Sequence, residues 1–423
     1  MKILVIGSGG REHAIIKTLK KNPRVTQLFA APGNGGIAKE AQCVPVKAVD
    51  IQGITDFVLK NSIDYAVVTP EDPLAAGMVD ALEEKGVRCF GPNKAAAKLE
   101  SSKVFSKNLM KKYNIPTASY EVFSSSDDAV NYLKSDSVNF PIVIKADGLA
   151  LGKGVIIAQN LMDALKAVEE IMLEKKFGAS GLKIVIEEFL EGPEVTVLSF
   201  TDGNTLIPMI SSMDHKRVFD GNKGKNTGGM GVIAPNPHYT DEIKALCEKT
   251  VFMPTIGAMR EEGCPFKGCL YFGLILTKDG PKVIEYNARF GDPETQAILP
   301  LLETDLLQIM EAVTDSNLDK INVHWSNEYS ACIMLSSGGY PDSYKTGFEI
   351  HGLNKNGGVN TDKTIVYHSA TMEKDGAFYT SGGRVLGITA SGASLDTALS
   401  KAYESIKAIN FEGIHYRRDI GKY

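Results

Sequence analysis

The first hundred residues alternate short apolar runs with helical stretches, and this alternation constrains the fold more than any other feature. Four apolar runs have the length and composition of buried strands: residues 3–6, 28–30, 66–69 and 87–90. Helical patterns lie between them, at residues 12–20, 51–61 and 74–85. The alternation predicts a doubly wound α/β domain with a parallel sheet.

The pattern changes after residue 100. Apolar runs at 141–147 and 154–159 flank a glycine-rich segment, and a helical pattern and another apolar run follow. We interpret residues 121–189 as a small α+β lobe that moves relative to its surroundings. A larger mixed segment continues to about residue 325, and the remaining residues, 326–423, predict a separate C-terminal α+β domain.

Two features of the mixed segment lead to local predictions. Residues 214–231 are polar and rich in glycine, which indicates a long loop. Apolar runs at 269–276 and 282–286 are separated by Asp279-Gly280, which predicts a β-hairpin turned at that dipeptide.

Composition excludes several classes of protein. The net charge is −5 over 423 residues, which argues against a dedicated nucleic-acid or anionic-membrane binder. We find no apolar run near the roughly 18 residues that a membrane-spanning helix needs, and we read the N-terminal apolar run as a strand. The six cysteines form neither a CxxC pair nor a zinc pattern, so we expect free thiols in a reducing cytoplasm.

The first candidate site is segment 7–13 (GSGGREH), directly after the first strand. A glycine-rich turn into a helix presents backbone N–H groups and a positive helix end to an anion. Glu12 stands where the dinucleotide fingerprint requires glycine, and no acidic residue ends the second strand, so NAD binding is disfavoured. A sugar phosphate beside Arg11 is the better prediction, and a tight turn without ligand is the alternative.

The second candidate is segment 145–154 (KADGLALGKG), a glycine loop between two strands with lysines at 145 and 153. Such a loop can fold over phosphates. It is not a Walker A motif, because Gly154 stands where Ser or Thr is required.

The third candidate is segment 184–194 (IVIEEFLEGPE), where an apolar strand leads into an acidic, kinked stretch. Its exposed backbone could pair with an adenine edge, and a carboxylate there could bind ribose hydroxyls. A solvated acidic turn is the alternative.

The fourth candidate begins with Glu285 and Asn287, which are two residues apart on a strand and therefore face the same way. A carboxylate and an amide oxygen suit Mg²⁺, which prefers oxygen ligands. Arg289 could neutralise a transferring phosphoryl group, and a salt-bridged strand is the alternative. We interpret His13 and His215 as polar turn residues rather than catalytic bases, and we find no Ser/His/Asp or Cys/His constellation.

The order of these motifs over residues 101–325 resembles the ATP-grasp superfamily. With segments 7–13, 226–231 (NTGGMG) and 287–296 (NARFGDPETQ), the whole chain resembles the phosphoribosylamine–glycine ligases, also called glycinamide ribonucleotide synthetases. Lys225 departs from the family, which has proline there. The resemblance implies three parts: a preATP-grasp domain at 1–100, an ATP-grasp domain at 101–325 and a C-terminal domain at 326–423.

The family's reaction is ligation of glycine to 5-phosphoribosylamine in de novo purine synthesis, with ATP as co-substrate and glycyl phosphate as intermediate. The resemblance therefore implies small-molecule partners and Mg²⁺ or Mn²⁺, and we expect a monomer. Phosphoryl transfer depends on positioning and charge neutralisation, which fits a site rich in lysine, arginine and metal ligands.

The resemblance also implies roles for individual residues. Asp214 and Arg289 are implied to be catalytic, and Glu285 and Asn287 to bind the metal. The implied ATP-binding residues are Lys103, Lys145, Asp147, Gly148, Gly152, Lys153, Gly154, Glu187, Glu188, Phe189, Leu190 and Glu194. The implied substrate-binding residues are Gly9, Gly10, Arg11, Glu12, Asp214, Gly291, Asp292 and Pro293.

Other functions stay open at this point. Another ATP-grasp carboxylate ligase, a carboxylase of biotin or purine metabolism, or a transformylase that forms formyl phosphate would share the nucleotide motifs. A nicotinamide oxidoreductase is disfavoured by Glu12. A non-catalytic nucleotide-binding or scaffold protein is the remaining class.

Overall fold

The computed structural model describes residues 1–149, 154–361 and 363–422, apart from the side chain of residue 179. The N-terminal sheet has the strand order β3-β2-β1-β4-β5, and every neighbouring pair is parallel. Its strands are β1 (Lys2–Gly7), β2 (Gln27–Pro32), β3 (Gln42–Cys43), β4 (Tyr65–Val68) and β5 (Arg88–Phe90). The predicted doubly wound domain is confirmed, and β3 is a strand that the apolar pattern did not indicate.

Helices cover both faces of this sheet. Along β1, Ile3 and Val5 pack into one core, whereas Leu4 and Ile6 pack into a second core. The helices are α1 (Gly10–Leu19), α2 (Ile51–Asn61), α3 (Glu71–Ala76) and α4 (Met78–Glu83), with a 3₁₀ turn at Ile37–Lys39. The helical pattern predicted over 74–85 falls on two helices, because Gly77 has a left-handed φ of 97° and separates α3 from α4.

Two helices lead from this domain into the predicted lobe, which has an antiparallel sheet of order β6-β9-β7-β8. The lobe encloses its own hydrophobic core. In chain order the elements are α5 (Lys94–Ser101), α6 (Lys103–Lys112), β6 (Tyr120–Phe123), α7 (Ser126–Leu133), β7 (Ile142–Ala146), β8 (Val155–Ala158), α8 (Leu161–Val168), a π-helical turn (Glu169–Leu173), a 3₁₀ turn (Gly178–Gly181) and β9 (Ile184–Glu188).

The segment after the lobe forms a four-stranded antiparallel sheet of order β11-β10-β16-β17. In chain order its strands and helices are β10 (Glu194–Thr201), β11 (Leu206–Pro208), β12 (Met213–Asp214), β13 (Arg217–Phe219), β14 (Lys223–Asn226), β15 (Gly231–Ala234), α9 (Asp241–Cys247), a π-helical turn (Glu248–Phe252), α10 (Met253–Glu261), β16 (Gly268–Thr277), β17 (Gly280–Asn287), α11 (Glu294–Ile298), a 3₁₀ turn (Leu299–Leu301), α12 (Leu306–Thr314) and a second 3₁₀ turn (Leu318–Lys320).

Two local predictions for this segment need correction. The hairpin β16–β17 is confirmed, but Thr277 pairs with Gly280, so its turn is Lys278-Asp279. Gly280 begins β17 with a φ of 108°, which explains why glycine stands there. The predicted loop 214–231 contains the hairpin β13–β14, in which Val218 and Phe219 are the apolar residues and the other strand, Lys223–Asn226, has none.

The C-terminal sheet takes strands from both sides of the predicted boundary at residue 325, because its order is β12-β15-β18-β23-β20. A second, three-stranded sheet has the order β19-β22-β21. The elements are β18 (Tyr329–Ser336), β19 (Glu349–Ile350), β20 (Ile365–His368), β21 (Thr371–Lys374), β22 (Ala377–Thr380), β23 (Arg384–Gly392) and α13 (Leu395–Ile406). The predicted combination of α/β and α+β domains is thus confirmed.

His13 lies inside α1, so its interpretation as a turn residue is wrong. Its Nδ1 accepts a hydrogen bond from the backbone N–H of His368 at 2.9 Å, which joins α1 to β20. Burial holds the pKa of His13 well below its usual value, and His368 and Lys17 lower it further. His215 connects β12 to β13 and is also buried, and burial with nearby Arg417 lowers its pKa to about 4.

The six cysteines are all free thiols, as predicted. Across the described ranges, every helix is too short or too polar to cross a membrane.

Tyr65 provides a test of how the N-terminal sheet is attached to α12. Its hydroxyl is buried, donates to Met310 O at 2.9 Å and lies 2.6 Å from Thr314 Oγ1. Tyr65→Phe leaves these buried acceptors without that partner, so we expect the free energy of unfolding to fall by about 1–2 kcal/mol. The urea midpoint measures the change. Tyr329→Phe, at a residue 37% exposed, is the control, and an equal shift in both variants would contradict the prediction.

Candidate active site

A cavity of about 410 Å³ lies where the N-terminal sheet, the lobe, the central sheet and the C-terminal sheet meet. Arg11 enters it from α1 and Lys145 from β7, while Glu285 comes from β17 and Arg384 from the start of β23. Its size is typical of small-molecule sites. Arg11 and the α3 residue Glu71 follow β1 and β4, so this wall lies at the carboxyl edge of the parallel sheet, where its strand order reverses.

The described residues that line the cavity include equal numbers of basic and acidic side chains. The seven basic residues are Arg11, Lys103, Lys107, Lys145, Lys216, Arg289 and Arg384. The seven acidic residues are Glu71, Glu100, Glu187, Asp214, Glu285, Asp292 and Glu294. So many charges in one cavity suit a highly charged ligand.

Arg289 lies between two carboxylates. Its Nε is 3.2 Å from Glu71 Oε2, and its Nη2 is 3.0 Å from Glu100 Oε1. Burial opposes ionisation of Glu71, but Arg289 and Arg11 outweigh it and lower its pKa to about 2. At Glu100 burial dominates over Arg289 and raises the pKa to about 7.

Glu285 and Asn287 lie on the wall formed by β17, on one face as predicted. Burial disfavours the Glu285 carboxylate, but Lys216, Lys145 and other cations lower its pKa, so the group is ionised. The Asn287 amide fits with Nδ2 donating to Glu100 Oε1 at 3.0 Å, which turns its Oδ1 away from that carboxylate.

These two oxygens fit a divalent cation that takes its remaining ligands from phosphate and water. A site made wholly of protein ligands does not fit, because the described ranges contain no group of three or more His, Cys, Asp or Glu residues that could hold a metal.

The predicted phosphate-binding loop contributes several groups to the same cavity. Lys103 and Lys145 line it, and Lys103 Nζ donates to Gly148 O at 2.9 Å. Gly148 and Gly154 also line it, whereas Gly152 and Lys153 lie outside the described residues. Asp147 has a different position, because its Oδ1 accepts hydrogen bonds from the first turn of α6.

The predicted adenine hinge divides into a buried and an exposed part. Glu187 is buried and lines the cavity. Glu188 and Phe189 are exposed, Leu190 is partly buried, and Glu194 pairs with Lys216 at 2.7 Å. These last four residues lie beside the cavity rather than on its lining.

Asp214, which is partly buried, and Glu294, which is buried, form an acidic pair on the cavity wall. Burial raises the pKa of Asp214, and the neighbouring Glu294 raises it further. Burial likewise raises the pKa of Glu294. Asp214 Oδ1 is buried without a hydrogen-bond partner among the residues that the structure describes. Two carboxyl groups in such surroundings hold a proton more readily than solvated ones.

The glycine-rich turn after β1 is filled by carboxylates of the protein itself. Glu12 Oε2 accepts from Gly9 N at 2.5 Å, and Asp292 Oδ2 accepts from Arg11 N at 3.2 Å. Gly10 is buried against Gln296 and Ser369. Of the four residues predicted in this turn to bind substrate, Arg11 alone lines the described part of the cavity.

The segment after Arg289 brings one predicted substrate residue onto the lining. Asp292 lines the cavity, and its Oδ1 is 3.0 Å from Arg384 Nη2. Gly291 packs beside Glu294, and Pro293 beside Gly229, both behind the lining. Lys225, the departure from the family, forms an exposed ion pair with Asp342.

Sequence reasoning missed several charged residues of the cavity. Glu71 stands two residues after the strand predicted at 66–69, and Glu294 stands inside the quoted segment 287–296, so the sequence did contain an indication of both residues. It contained none for Arg384. The charged lining residues that the sequence analysis did not assign to the site are Glu71, Glu100, Lys107, Glu294 and Arg384.

Comparisons with known proteins find relatives over the whole length of the chain. Three family profiles match in order: phosphoribosylglycinamide synthetase N domain at 1–100, its ATP-grasp (A) domain at 101–295 and its C domain at 330–423. A phosphoribosylamine–glycine ligase of Clostridium acetobutylicum is 47% identical over 422 residues, which is 100% of both chains.

Solved structures give the same result for the fold. The phosphoribosylamine–glycine ligase of Thermotoga maritima matches with a TM-score of 0.86 and 31% identity, over 99% of this chain and 100% of that one. The biotin carboxylase domain of a Hydrogenobacter thermophilus 2-oxoglutarate carboxylase has a TM-score of 0.75 at 16% identity, over 98% of this chain and 91% of that one. At that identity the second match shows a shared fold alone.

Arg384 tests how strongly the C-terminal sheet holds the cavity wall. Its Nη1 donates to Asp292 O at 2.8 Å in addition to the ion pair. Arg384→Met leaves a buried carboxylate without its cation, so we expect a loss of about 3 kcal/mol in stability, measured by urea unfolding. Adding Asp292→Asn should restore at least half of the loss. Lys407→Met, which breaks an exposed ion pair with Glu404, is the control, and a loss as small as the control's would refute this role.

Proposed function

The chain belongs to the phosphoribosylglycinamide synthetase family, and on that premise we propose how its cavity performs the family's reaction. The reaction is the ATP-dependent ligation of glycine to 5-phosphoribosylamine through glycyl phosphate, in purine biosynthesis. Lys103, Lys145 and Glu285 line one cavity. This observation supports the proposal that phosphate binding and metal binding take place in the same site. We assign the preATP-grasp part to residues 1–100, the ATP-grasp part to 101–325 and the C-terminal part to 326–423.

The first step makes the glycine carboxylate reactive. A carboxylate is a poor electrophile, and phosphorylation by ATP gives it a good leaving group. In our proposal Lys103 and Lys145 bind the ATP phosphates, and the described loop residues 147–149 and 154 help to exclude water from the acyl phosphate. The backbone of residues 187–190 holds adenine, and Glu194 holds the ribose.

Glu285 and Asn287 are the proposed metal ligands. When bound, Mg²⁺ or Mn²⁺ neutralises phosphate charge during transfer. The chain's own contribution is to keep Glu285 ionised through the surrounding lysines and to orient the Asn287 amide through Glu100.

In the second step the amine of phosphoribosylamine attacks the glycyl carbonyl carbon. The new C–N bond forms as the C–O bond to phosphate breaks, and the amine loses a proton. We place Arg289 beside the transferring phosphoryl group, and Asp214 with Gly291, Asp292 and Pro293 around glycine. We place the phosphate end of the second substrate near residues 9–12, with Arg11 as its cavity-lining cation.

We further propose that the chain acts as a cytoplasmic monomer on small molecules. The six free thiols support a reducing compartment.

Substrate dependence tests the assignment directly. We expect the purified chain to release phosphate from ATP only when glycine and phosphoribosylamine are both present, because the acyl phosphate is protected from water. A coupled phosphate assay with each substrate omitted in turn measures this. Full turnover with bicarbonate in place of glycine would instead indicate an ATP-grasp carboxylase.

Glu285→Ala tests the metal assignment. We expect turnover with Mg²⁺ to be lost while stability changes by less than about 1 kcal/mol, since Glu285 is only partly buried and its carboxylate makes no hydrogen bond or ion pair with the described residues. Phosphate release across a Mg²⁺ titration and the urea midpoint give the two readouts. Glu412→Ala, at an exposed carboxylate, is the control. Turnover like that of the control, or loss of the fold, would contradict the role of Glu285.

A further inference from the structure

Glu187 is shared by two buried lysines. Its Oε2 lies 2.9 Å from Lys107 Nζ and 3.0 Å from Lys145 Nζ. The three side chains are 4%, 3% and 5% exposed, respectively. Their ion pairs are therefore weakly screened by solvent, and the charge balance within this cluster matters to any ligand of the cavity.

The cluster joins the lobe to the rest of the ATP-grasp segment. Glu187 and Lys145 lie on the lobe strands β9 and β7, whereas Lys107 lies on α6. Lys107 Nζ also donates to Thr117 Oγ1 at 2.8 Å, and Thr117 Oγ1 donates to Val283 O on β17 at 2.7 Å. Lys107 is thus held by contacts with the lobe, through Glu187, and with the central sheet, through Thr117.

The cluster contains two ammonium groups and one carboxylate. Without Lys107, Glu187 would neutralise Lys145, and the resulting pair would attract a polyphosphate weakly. With Lys107 present, the cluster has a net charge of +1. Glu187 Oε1 is buried without a hydrogen-bond partner in the described part of the chain, and both lysines pair with the other oxygen, Oε2.

The buried position of Lys107 makes its own ammonium group easier to deprotonate. Burial lowers its pKa, Glu187 partly restores it and Lys145 lowers it again, to a value of about 8. The shift agrees with an ammonium group that is held close to a second one.

We propose that Lys107 is a positioning residue for ATP binding, which acts through Glu187 to keep the charge of Lys145 available to the phosphates. Lys107 itself lines the cavity beside these groups, and its effect on the nucleotide is carried by the shared carboxylate. This inference rests on the proposed use of ATP by the same cavity.

The dissociation constant for ATP tests this proposal, measured by calorimetry on the full chain with Mg²⁺. We expect Lys107→Met to weaken ATP binding about tenfold, the effect of one unit of nearby charge in a partly screened site. Lys107→Arg keeps the charge and should recover most of the affinity. The double variant Lys107→Met/Glu187→Gln should also recover affinity relative to Lys107→Met, because Lys145 is no longer neutralised.

A lysine with a purely structural role would give a different pattern. Lys112→Met on the same helix breaks an exposed ion pair with Glu262 and is the matched control, with no expected change in affinity. Thermal melting by circular dichroism reports the fold of each variant. If Lys107→Met does not fold, Lys107→Gln, which retains hydrogen-bonding groups, replaces it with the same expected loss.

Three results would overturn the proposal: a folded neutral variant with unchanged affinity, an arginine variant as weak as the neutral one, or a double variant no tighter than the single one. Absence of ATP binding by the wild-type chain is a different outcome, which would reject the proposed function itself.

Discussion

The ion pairs of Arg289 with Glu71 and Glu100 are the constraint on which the geometry of the cavity depends. Arg289 follows β17, Glu71 begins α3 and Glu100 lies on α5, so the two contacts fix the end of the central sheet against the N-terminal domain. Glu100 also accepts from Ala288 N at 2.7 Å and orients the amide of Asn287. The orientation of Asn287, a proposed metal ligand, therefore depends on ion pairs formed between segments that are far apart in sequence.

Local sequence patterns predicted the features that depend on neighbouring residues. Four of the five strands of the first sheet, the β16–β17 hairpin and the shared face of Glu285 and Asn287 all follow from spacing along one element. The partners of those residues could not be predicted in this way. Arg384 reaches Asp292 across 92 positions, and neither its surroundings nor its spacing indicates that contact. Side-chain pairing between domains depends on the packing of whole sheets, which local periodicity does not encode.

The turn after β1 shows how tertiary contacts use groups that a sequence pattern offers to a ligand. Backbone N–H groups at the start of a helix attract any anion, and the sequence pattern predicted a phosphate. In the structure, Glu12 folds back onto Gly9 N, as in a capping box, and Asp292 arrives from another domain. The pattern indicated that the turn attracts negative charge. The tertiary fold determined which carboxylates accept hydrogen bonds from its backbone N–H groups. Arg11 is the part of this turn that still faces the cavity.

The charge of the cavity also depends on how burial shifts the ionisation of its acids and bases. Seven basic and seven acidic side chains give a neutral sum when all are charged, and burial raises the pKa values of Glu100, Asp214 and Glu294 while it lowers those of Lys103 and Lys107. Most of the cations already have protein partners, as Lys145 has in Glu187. A polyphosphate that enters must therefore compete with carboxylates for these cations. Its affinity is set by how weakly each carboxylate holds its lysine or arginine, because a lysine that shares its carboxylate with a second cation retains more of its attraction for phosphate.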